Sequence, residues 1–417
     1  MALDSAACYQ AVLARDARFD GHFFTAVTTT GIYCRPVCRV RAPRATNCRF
    51  FASAPLAEAA GFRPCLRCRP ELAPAALPRW STQDASQMLA AQAMMLLDTV
   101  DTAADSPLRT SELAARLGVS DRHLRRILVQ HLGVTPLQYR QTRRLLLAKQ
   151  LLCDTNLSMS RIAELSGFAS QRRFNTAFST HYGLTPSACR RAGRADDDVR
   201  LSLAYRPPYD EAAMLEFFRL RAVPGLEHCY ADASGSAGFA RVVRVSSGGC
   251  NHVGWLAIHF EPARHRVRVQ LGESLLPVLP AVLQQLRRAL DLDADPLAIE
   301  AVLAADFPHC AGWRVPGAWD GFEQAVRAVL GQQITVAAAR TLTQRLVHAY
   351  GEPVATPWPQ LTHAFPTPER LLSLTADDLG RLGIVRQRQK AIHALAEAVV
   401  HHGLDLNPGP GLQDTLQ

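Results

Sequence analysis

Lysine is nearly missing from this chain. Of 46 Lys and Arg residues, only Lys149 and Lys390 are lysine. Arginine presents a planar fork that suits phosphate and guanine edges, and a coding bias would leave the same excess. Long apolar runs are missing too: none reaches the roughly 18 residues of a membrane-spanning helix, so no membrane partner is expected. The opening MALDSAACYQAVLARDARFDG scatters charges through itself and lacks an uninterrupted apolar core, which excludes a signal peptide. A cytoplasmic, reducing location is expected. There, 11 cysteines read as metal ligands or buried thiols rather than as disulfides.

Apolar residues make up 48% of the chain, enough for packed cores and too much for a largely disordered protein. A length of 417 residues suggests about three or four domains. The net charge of +9 divides into +6 over residues 1–80, +7 over 81–195 and −4 over 196–417. The first half is therefore where a polyanion would be met. Residues 1–80 are rich in Cys and Arg, and Pro70, Pro74 and Pro78 break the structure that follows. Over 84–192, stretches such as ELAARLGV, HLRRILVQHL, LQYRQTRRLLLAKQLL and RRFNTAFSTHY show helical spacing of apolar positions. GRADDD at 193–198 reads as a linker. GFARVVRVSS and VGWLAIHFEP…HRVRVQL alternate as strands, and LPAVLQQLRRALDL reads as a helix. Helical spacing returns from Trp319 to His402.

Two close cysteine pairs stand out, Cys34-x3-Cys38 and Cys65-x2-Cys68, with 26 residues between them. Each pair can supply two vertices of a tetrahedron, and thiolates favour zinc. Eight arginines and one acidic residue lie between Thr30 and Pro70, so an anionic metal site would be wrapped in cations. Spacing alone leaves both a structural zinc ribbon and a reactive site open. The wording is more specific. TTGIYCRPVCRVRAPRATNCRFF and AAGFRPCLRCRP, within about residues 5–72, resemble the N-terminal zinc domain of the Ada adaptive-response family. That resemblance implies that Cys34 accepts a methyl group from a DNA phosphotriester. Cys38, Cys65 and Cys68 then complete the zinc site, and Thr30 and Arg63 fall at the DNA backbone. Methylating one of four thiolates removes a negative charge, which would raise affinity for DNA and make a stoichiometric repair event a switch. The other seven cysteines have no such spacing and are expected to be buried or free thiols.

ELAARLGVSDRHLRRIL and RIAELSGFASQRRFNTAF are copies 49 residues apart. In each, alanine precedes glycine by four: Ala114 and Gly118, Ala163 and Gly167. The small residue allows close helix crossing and the glycine makes the turn. Ser120 and Ser170 sit where the second helix needs an N-cap. IAELSGF…RFNTAFSTHYGLTPSACRR resembles the AraC-type DNA-binding domain, over about residues 84–192. The resemblance implies two recognition helices on one rigid connecting helix, entering successive major grooves. Candidate base-reading residues are Arg122, His123 and Arg126 in the first unit and Ser170, Gln171 and Arg173 in the second; about half of such contacts touch phosphate only.

RPPYDEAAMLEFFRLRAVPGLE, WDGFEQAVRAVLGQQITVAAARTLTQRLVHAYGE and FPTPERLLSLTADDLGRLGIVRQRQKAIHALAEAVV resemble the AlkA-type 3-methyladenine DNA glycosylases, from about residue 199 onward. In GQQIT, Gln332 and Gln333 fall where that family inserts a side chain into the space left by a flipped base. Gln333 takes the wedge position, where AlkA itself has leucine. The family's helix-hairpin-helix and catalytic aspartate would lie beyond Gln417, so base excision by this chain is expected to be lost and the helices of 319–402 to leave an apolar face exposed. A truncation or frameshift would account for this. The PCHRV-like motif of O6-methylguanine acceptors does not occur.

The expected fold class is multidomain, mainly α with α+β parts. It comprises a small zinc-bound α/β domain (1–78), an all-α double helix-turn-helix domain (79–195), an AlkA-like mixed sheet and helix domain (196–312) and a partial all-α glycosylase domain (313–417). The expected function is alkylation-damage repair and response, with Cys34 as an irreversible methyl acceptor and promoter DNA bound by the AraC-type part. Zinc is the cofactor, double-stranded DNA the partner, and RNA polymerase a further partner of an activator. Two alternatives are an active 3-methyladenine glycosylase with a regulatory front half, and a plain AraC-like regulator with a structural zinc.

Overall fold

The computed structural model describes residues 3–75, 85–98, 110–190, 199–231, 235, 237–247 and 250–407. The expected domain boundaries near 78 and 195, the linker at 193–198 and the last ten residues lie outside these.

The first lobe starts with α1 (Ser5–Ala14), capped by the Asp4 side chain. A four-stranded sheet follows, made of β1 (Phe24–Val27), β2 (Ile32–Cys34), β3 (Cys48–Phe51) and β4 (Arg63–Pro64), in the order β3-β1-β2-β4. Helix α2 (Ala54–Ala59) has Ser53 as its N-cap and connects β3 to β4. Its Ala54 and Ala57 pack with Phe24, Tyr33 and Phe62 in a small core.

The second lobe is helical throughout its described residues: α3 (Ala85–Asp98), α4 (Thr110–Arg116), α5 (Asp121–Leu132), α6 (Pro136–Asp154), α7 (Met159–Leu165), α8 (Gln171–Tyr182) and α9 (Pro186–Cys189). Two helix-turn-helix units, α4–α5 and α7–α8, flank the connecting helix α6. Gly118 and Gly167 make their turns at φ of 66° and 74°, where a β-carbon would be strained. Leu124, Ile127 and Leu128 anchor α5, and Phe174, Phe178 and Tyr182 anchor α8. Thr135 and Gln138 close a capping box at the start of α6.

A five-stranded antiparallel sheet organises the third part. It contains β5 (Val199–Ala204), then β6 (Glu227–Ala231), β7 (Ala237–Ser247), β8 (Cys250–Glu261) and β9 (Arg266–Leu271), in the order β5-β9-β8-β7-β6. Helix α10 (Glu211–Arg221) lies between β5 and β6, and α11 (Leu279–Ala289) and α12 (Pro296–Leu303) follow the sheet. The last part comprises α13 (Gly321–Gly331), α14 (Val336–Tyr350), the short pair β10 (Glu352–Pro353) and β11 (His363–Ala364), α15 (Pro368–Leu372), α16 (Ala376–Arg381) and α17 (Arg386–His402).

The sheet divides two cores. One face packs Phe239, Val243 and Ile258 against Phe218, Leu279, Leu286 and Trp319. The other packs Ala240, Val242 and Ala257 against Phe322, Val326, Leu346, Leu371 and Ile392. The expectation of an exposed apolar face over 319–402 is corrected here. Among the described residues of that stretch, only Val336 and Val385 are large apolar side chains in solvent. The sheet and the helices' own packing cover the rest.

Candidate zinc centre and DNA-facing helices

Local pairing brings the four expected ligands together. Cys34 ends β2, with Thr25 opposite it on β1. Strand β4 runs parallel to β2, and the Cys65 N–H donates to the Tyr33 carbonyl at 3.0 Å. The Cys38 N–H closes a turn onto the Arg35 carbonyl at 3.1 Å. The Sγ atoms of Cys34, Cys38, Cys65 and Cys68 all lie within 4.8 Å of one another. Tetrahedral zinc with Zn–S bonds of about 2.3 Å places sulfurs roughly 3.8 Å apart, so the donor set fits. Cys34, Cys38 and Cys65 are buried and Cys68 is half-buried.

The electrostatics fit a cation as well. Hydrogen bonding to Cys38 and Cys65 pushes the Cys34 thiol up, and burial pushes Cys68 up. Cys38 and Cys65 are pushed down, chiefly by their bonds to Cys34. Sulfurs this close titrate as a set and share protons unless a cation holds them as thiolates. The Arg35 N–H donates to Cys68 Sγ at 3.3 Å. The guanidinium of Arg35 is held by the buried carboxylate of Asp20, with Nε 2.8 Å from Oδ1. Thr30 is exposed on the β1–β2 turn. Arg63 is half-buried beside it, its N–H donating to the Gly31 carbonyl at 2.9 Å.

Both recognition-helix caps form: Ser120 Oγ accepts from the His123 N–H at 3.3 Å, and Ser170 Oγ from the Arg173 N–H at 3.2 Å. On α5, Arg122 and Arg126 are exposed and His123 is half-buried, with Arg126 Nη2 2.9 Å from His123 Nδ1. On α8, Gln171 and Arg173 are exposed. In the last part, Gln333 is exposed in the turn between α13 and α14, with a left-handed φ of 57°. That conformation is uncommon for a residue with a β-carbon. The adjacent Gln332 carbonyl is held by Arg388 Nη2 at 2.6 Å.

Several residues that tie the lobes together escaped sequence reasoning. Glu58, the one acidic residue between Thr30 and Pro70, is buried and accepts from Tyr33, Thr142 and His181. Lys149, one of two lysines, is fully buried against Glu71. Burial alone would raise the Glu71 carboxyl, but Lys149 and Arg69 hold it below the usual carboxylate range. Arg206, before the third part's first helix, donates to the carbonyls of Asp20, Ala75, Asp293 and Ala294. Cys153 and Cys189 also form a close pair that their spacing did not announce. The Cys189 thiol pulls Cys153 down to about 7 against the effect of burial. The one signal, for Glu58 and Lys149, was rarity: an acid in an arginine-rich stretch and a lysine in a chain with two.

Family models match this architecture part by part: the metal binding domain of Ada over residues 7–71, a helix-turn-helix domain over 113–192, the AlkA N-terminal domain over 200–320, and the HhH-GPD superfamily base excision DNA repair protein over 326–415. A zinc-binding lobe, paired helix-turn-helix units and a glycosylase fold define a fused regulator and repair protein whose partner is DNA. The Mycobacterium tuberculosis "Probable bifunctional transcriptional activator/DNA repair enzyme AlkA" is 37% identical over 417 residues, covering 96% of this chain and 80% of that one. The chain belongs to this family of bifunctional activator and DNA repair proteins. Escherichia coli DNA-3-methyladenine glycosylase 2 is 34% identical over 209 residues, 50% of this chain and 70% of that one. The E. coli "Bifunctional transcriptional activator/DNA repair enzyme Ada" is 34% identical over 196 residues, 47% of this chain and 51% of that one. Among the described residues, no helix is long and apolar enough to cross a membrane.

Proposed function

We propose that this chain is a cytoplasmic alkylation-damage sensor that repairs DNA methylphosphotriesters at Cys34 and then activates transcription by engaging promoter DNA and RNA polymerase. The observation that carries this is the cluster of four cysteine sulfurs at the end of β2, a strand that Thr30 leads into and that Arg63 pairs with from β4. Bound zinc keeps the sulfurs as thiolates near neutral pH. In the transfer, a Cys34 Sγ–CH3 bond forms and the O–CH3 bond of the phosphotriester breaks. The leaving group is an ordinary phosphodiester anion. Cys38, Cys65 and Cys68 hold the metal, and Thr30 and Arg63 meet the DNA backbone. Arg122, His123, Arg126, Gln171 and Arg173 face the grooves. The hydroxyl of Ser170 serves the helix cap first and meets DNA from there. The assignment rests on four functional parts, 1–78, 79–195, 196–312 and 313–417.

In the glycosylase-like part, Gln332 and Gln333 present the DNA-facing turn, and no base excision is assigned to this chain. The carboxylates near its core are engaged elsewhere: Glu323 pairs with Arg241 and Arg327, and Asp320 caps α13. The alternative of an active glycosylase draws on the likeness to glycosylase 2. Two measurements test the reading. Radiolabelled methyl from methylphosphotriester DNA should reach Cys34 in the wild type and not in Cys34→Ser. The purified chain should release no 3-methyladenine from methylated DNA; release above background would favour the alternative.

A further inference from the structure

Three elements of two lobes converge on one buried carboxylate. Glu58, on α2, is 5% exposed. Its Oε1 accepts from the Tyr33 hydroxyl at 2.8 Å. Its Oε2 accepts from Thr142 Oγ1 on α6 at 2.6 Å and lies 2.7 Å from His181 Nε2 in the last turn of α8. Tyr33 is fully buried, edge-on to Phe24 with ring centroids 5.7 Å apart. It is also the neighbour of Cys34 on β2. A single hydrogen-bonded path therefore runs from the residue beside the methyl acceptor to the helix that carries Gln171 and Arg173.

We propose that Glu58 is a positioning residue that transmits the state of Cys34 to the second recognition helix. This rests on the reading that Cys34 takes up the methyl group. Cys34 is buried among three other sulfurs, and close-packed interiors do not absorb an added methyl without a shift of the neighbours. Strand β2 is joined to the Cys65 segment through the Tyr33 carbonyl, so a displacement at Cys34 is shared by Tyr33. The Tyr33 ring is fully buried and edge-on to Phe24, so a shift of its backbone carries the ring with it, and its hydroxyl moves the Glu58 carboxylate. His181 and Thr142 then lose or re-form their bonds, and α8 changes its seating against the zinc lobe. By linkage, DNA held on α8 would in turn bias the state of Cys34.

The test uses the full-length, zinc-loaded chain. Methyl iodide supplies the methyl group directly, and peptide mass mapping scores its arrival on Cys34. Hydrogen exchange of the α8 amides is then compared before and after methylation. In the wild type, methylation is expected to change α8 exchange by at least about fivefold, the low end of ordinary coupling energies. In Glu58→Gln the change should vanish, while zinc content and methyl uptake stay as in the wild type. If Glu58→Gln does not fold, His181→Ala, which leaves the Tyr33–Glu58–Thr142 bonds in place, should lose the response instead. A purely structural Glu58 would speed basal exchange in both states and leave the methylation response intact; that result overturns the proposal. No response in a wild type methylated at Cys34 overturns it as well, without touching methyl acceptance. A Cys34 that refuses the methyl overturns both readings.

Discussion

Lys149 Nζ lies 2.5 Å from Glu71 Oε2, with both side chains withdrawn from solvent. Lys149 comes from the connecting helix α6 and Glu71 from the end of the zinc lobe. Arg69 extends the pair, reaching Glu71 at 2.9 Å and Asp154 at 2.5 Å. A buried pair costs desolvation that its attraction only offsets when the remaining bonds are made, and here they are. Removing one partner strands the other. Lys149→Met is expected to destabilise the chain by about 3–5 kcal/mol in urea unfolding. The zinc lobe should also become more sensitive to limited proteolysis, since the same residues hold it to α6.

The contact between His181 and Glu58 predicts a pH dependence. The hydrogen bond to Glu58 raises His181 above its ordinary value, against the effect of burial. A raised histidine contributes fully below its unfolded value, near about 6.5, and the contribution is lost as pH climbs through the higher folded value. Burial shifts the neighbouring Tyr33 and Tyr182 upward, away from this range. Thermal unfolding of the wild type should lose stability from about pH 6.5 upward relative to His181→Ala. Parallel curves for the two chains would refute this.

Chelation of zinc should unfold one lobe and spare the others. Its sheet has only four short strands and a small core around Tyr33 and Ala57. Small metal lobes of this kind fold with their metal. Hydrogen exchange after chelation is expected to rise throughout residues 5–72. The β7–β8–β9 ladder, with its cores on both faces, should keep its protection.

Gln333 should separate stability from binding. Its left-handed backbone is a strain that glycine would not carry. Gln333→Gly is expected to raise stability by up to about 1 kcal/mol. Losing the protruding side chain should weaken binding to a duplex with an abasic site by about tenfold, or ~1.4 kcal/mol. A variant that is less stable and binds equally well would remove Gln333 from the DNA-facing turn.

The metal site was legible because its information is local. Two short cysteine spacings and the phrases around them name the ligands before any fold is known. The tertiary structure supplied the one missing relation, the parallel pairing of β2 with β4 that places Cys65 beside Tyr33. The recognition helices were legible for a similar reason. Alanine, glycine and serine at fixed offsets meet steric and capping needs within one unit. The coverage of the glycosylase-like helices was not legible. Their apolar stripes look unpartnered in sequence, and the partner is a sheet face more than 60 residues away, from β7 and β8.

By itself, then, the amino-acid sequence determined which parts meet a metal and which meet DNA: four thiols spaced for zinc and two helix-turn-helix units for a duplex. These follow from residue type and short spacing, which survive in any arrangement of the parts. Only the tertiary structure decided how the parts are joined. Glu58, Lys149 and Arg206 each look like isolated charges in sequence, and each becomes a junction between lobes only when partners 84, 78 and 186 residues away arrive to satisfy it. Burying a charge is tolerated only where such partners converge, and convergence over that distance is a property of the fold.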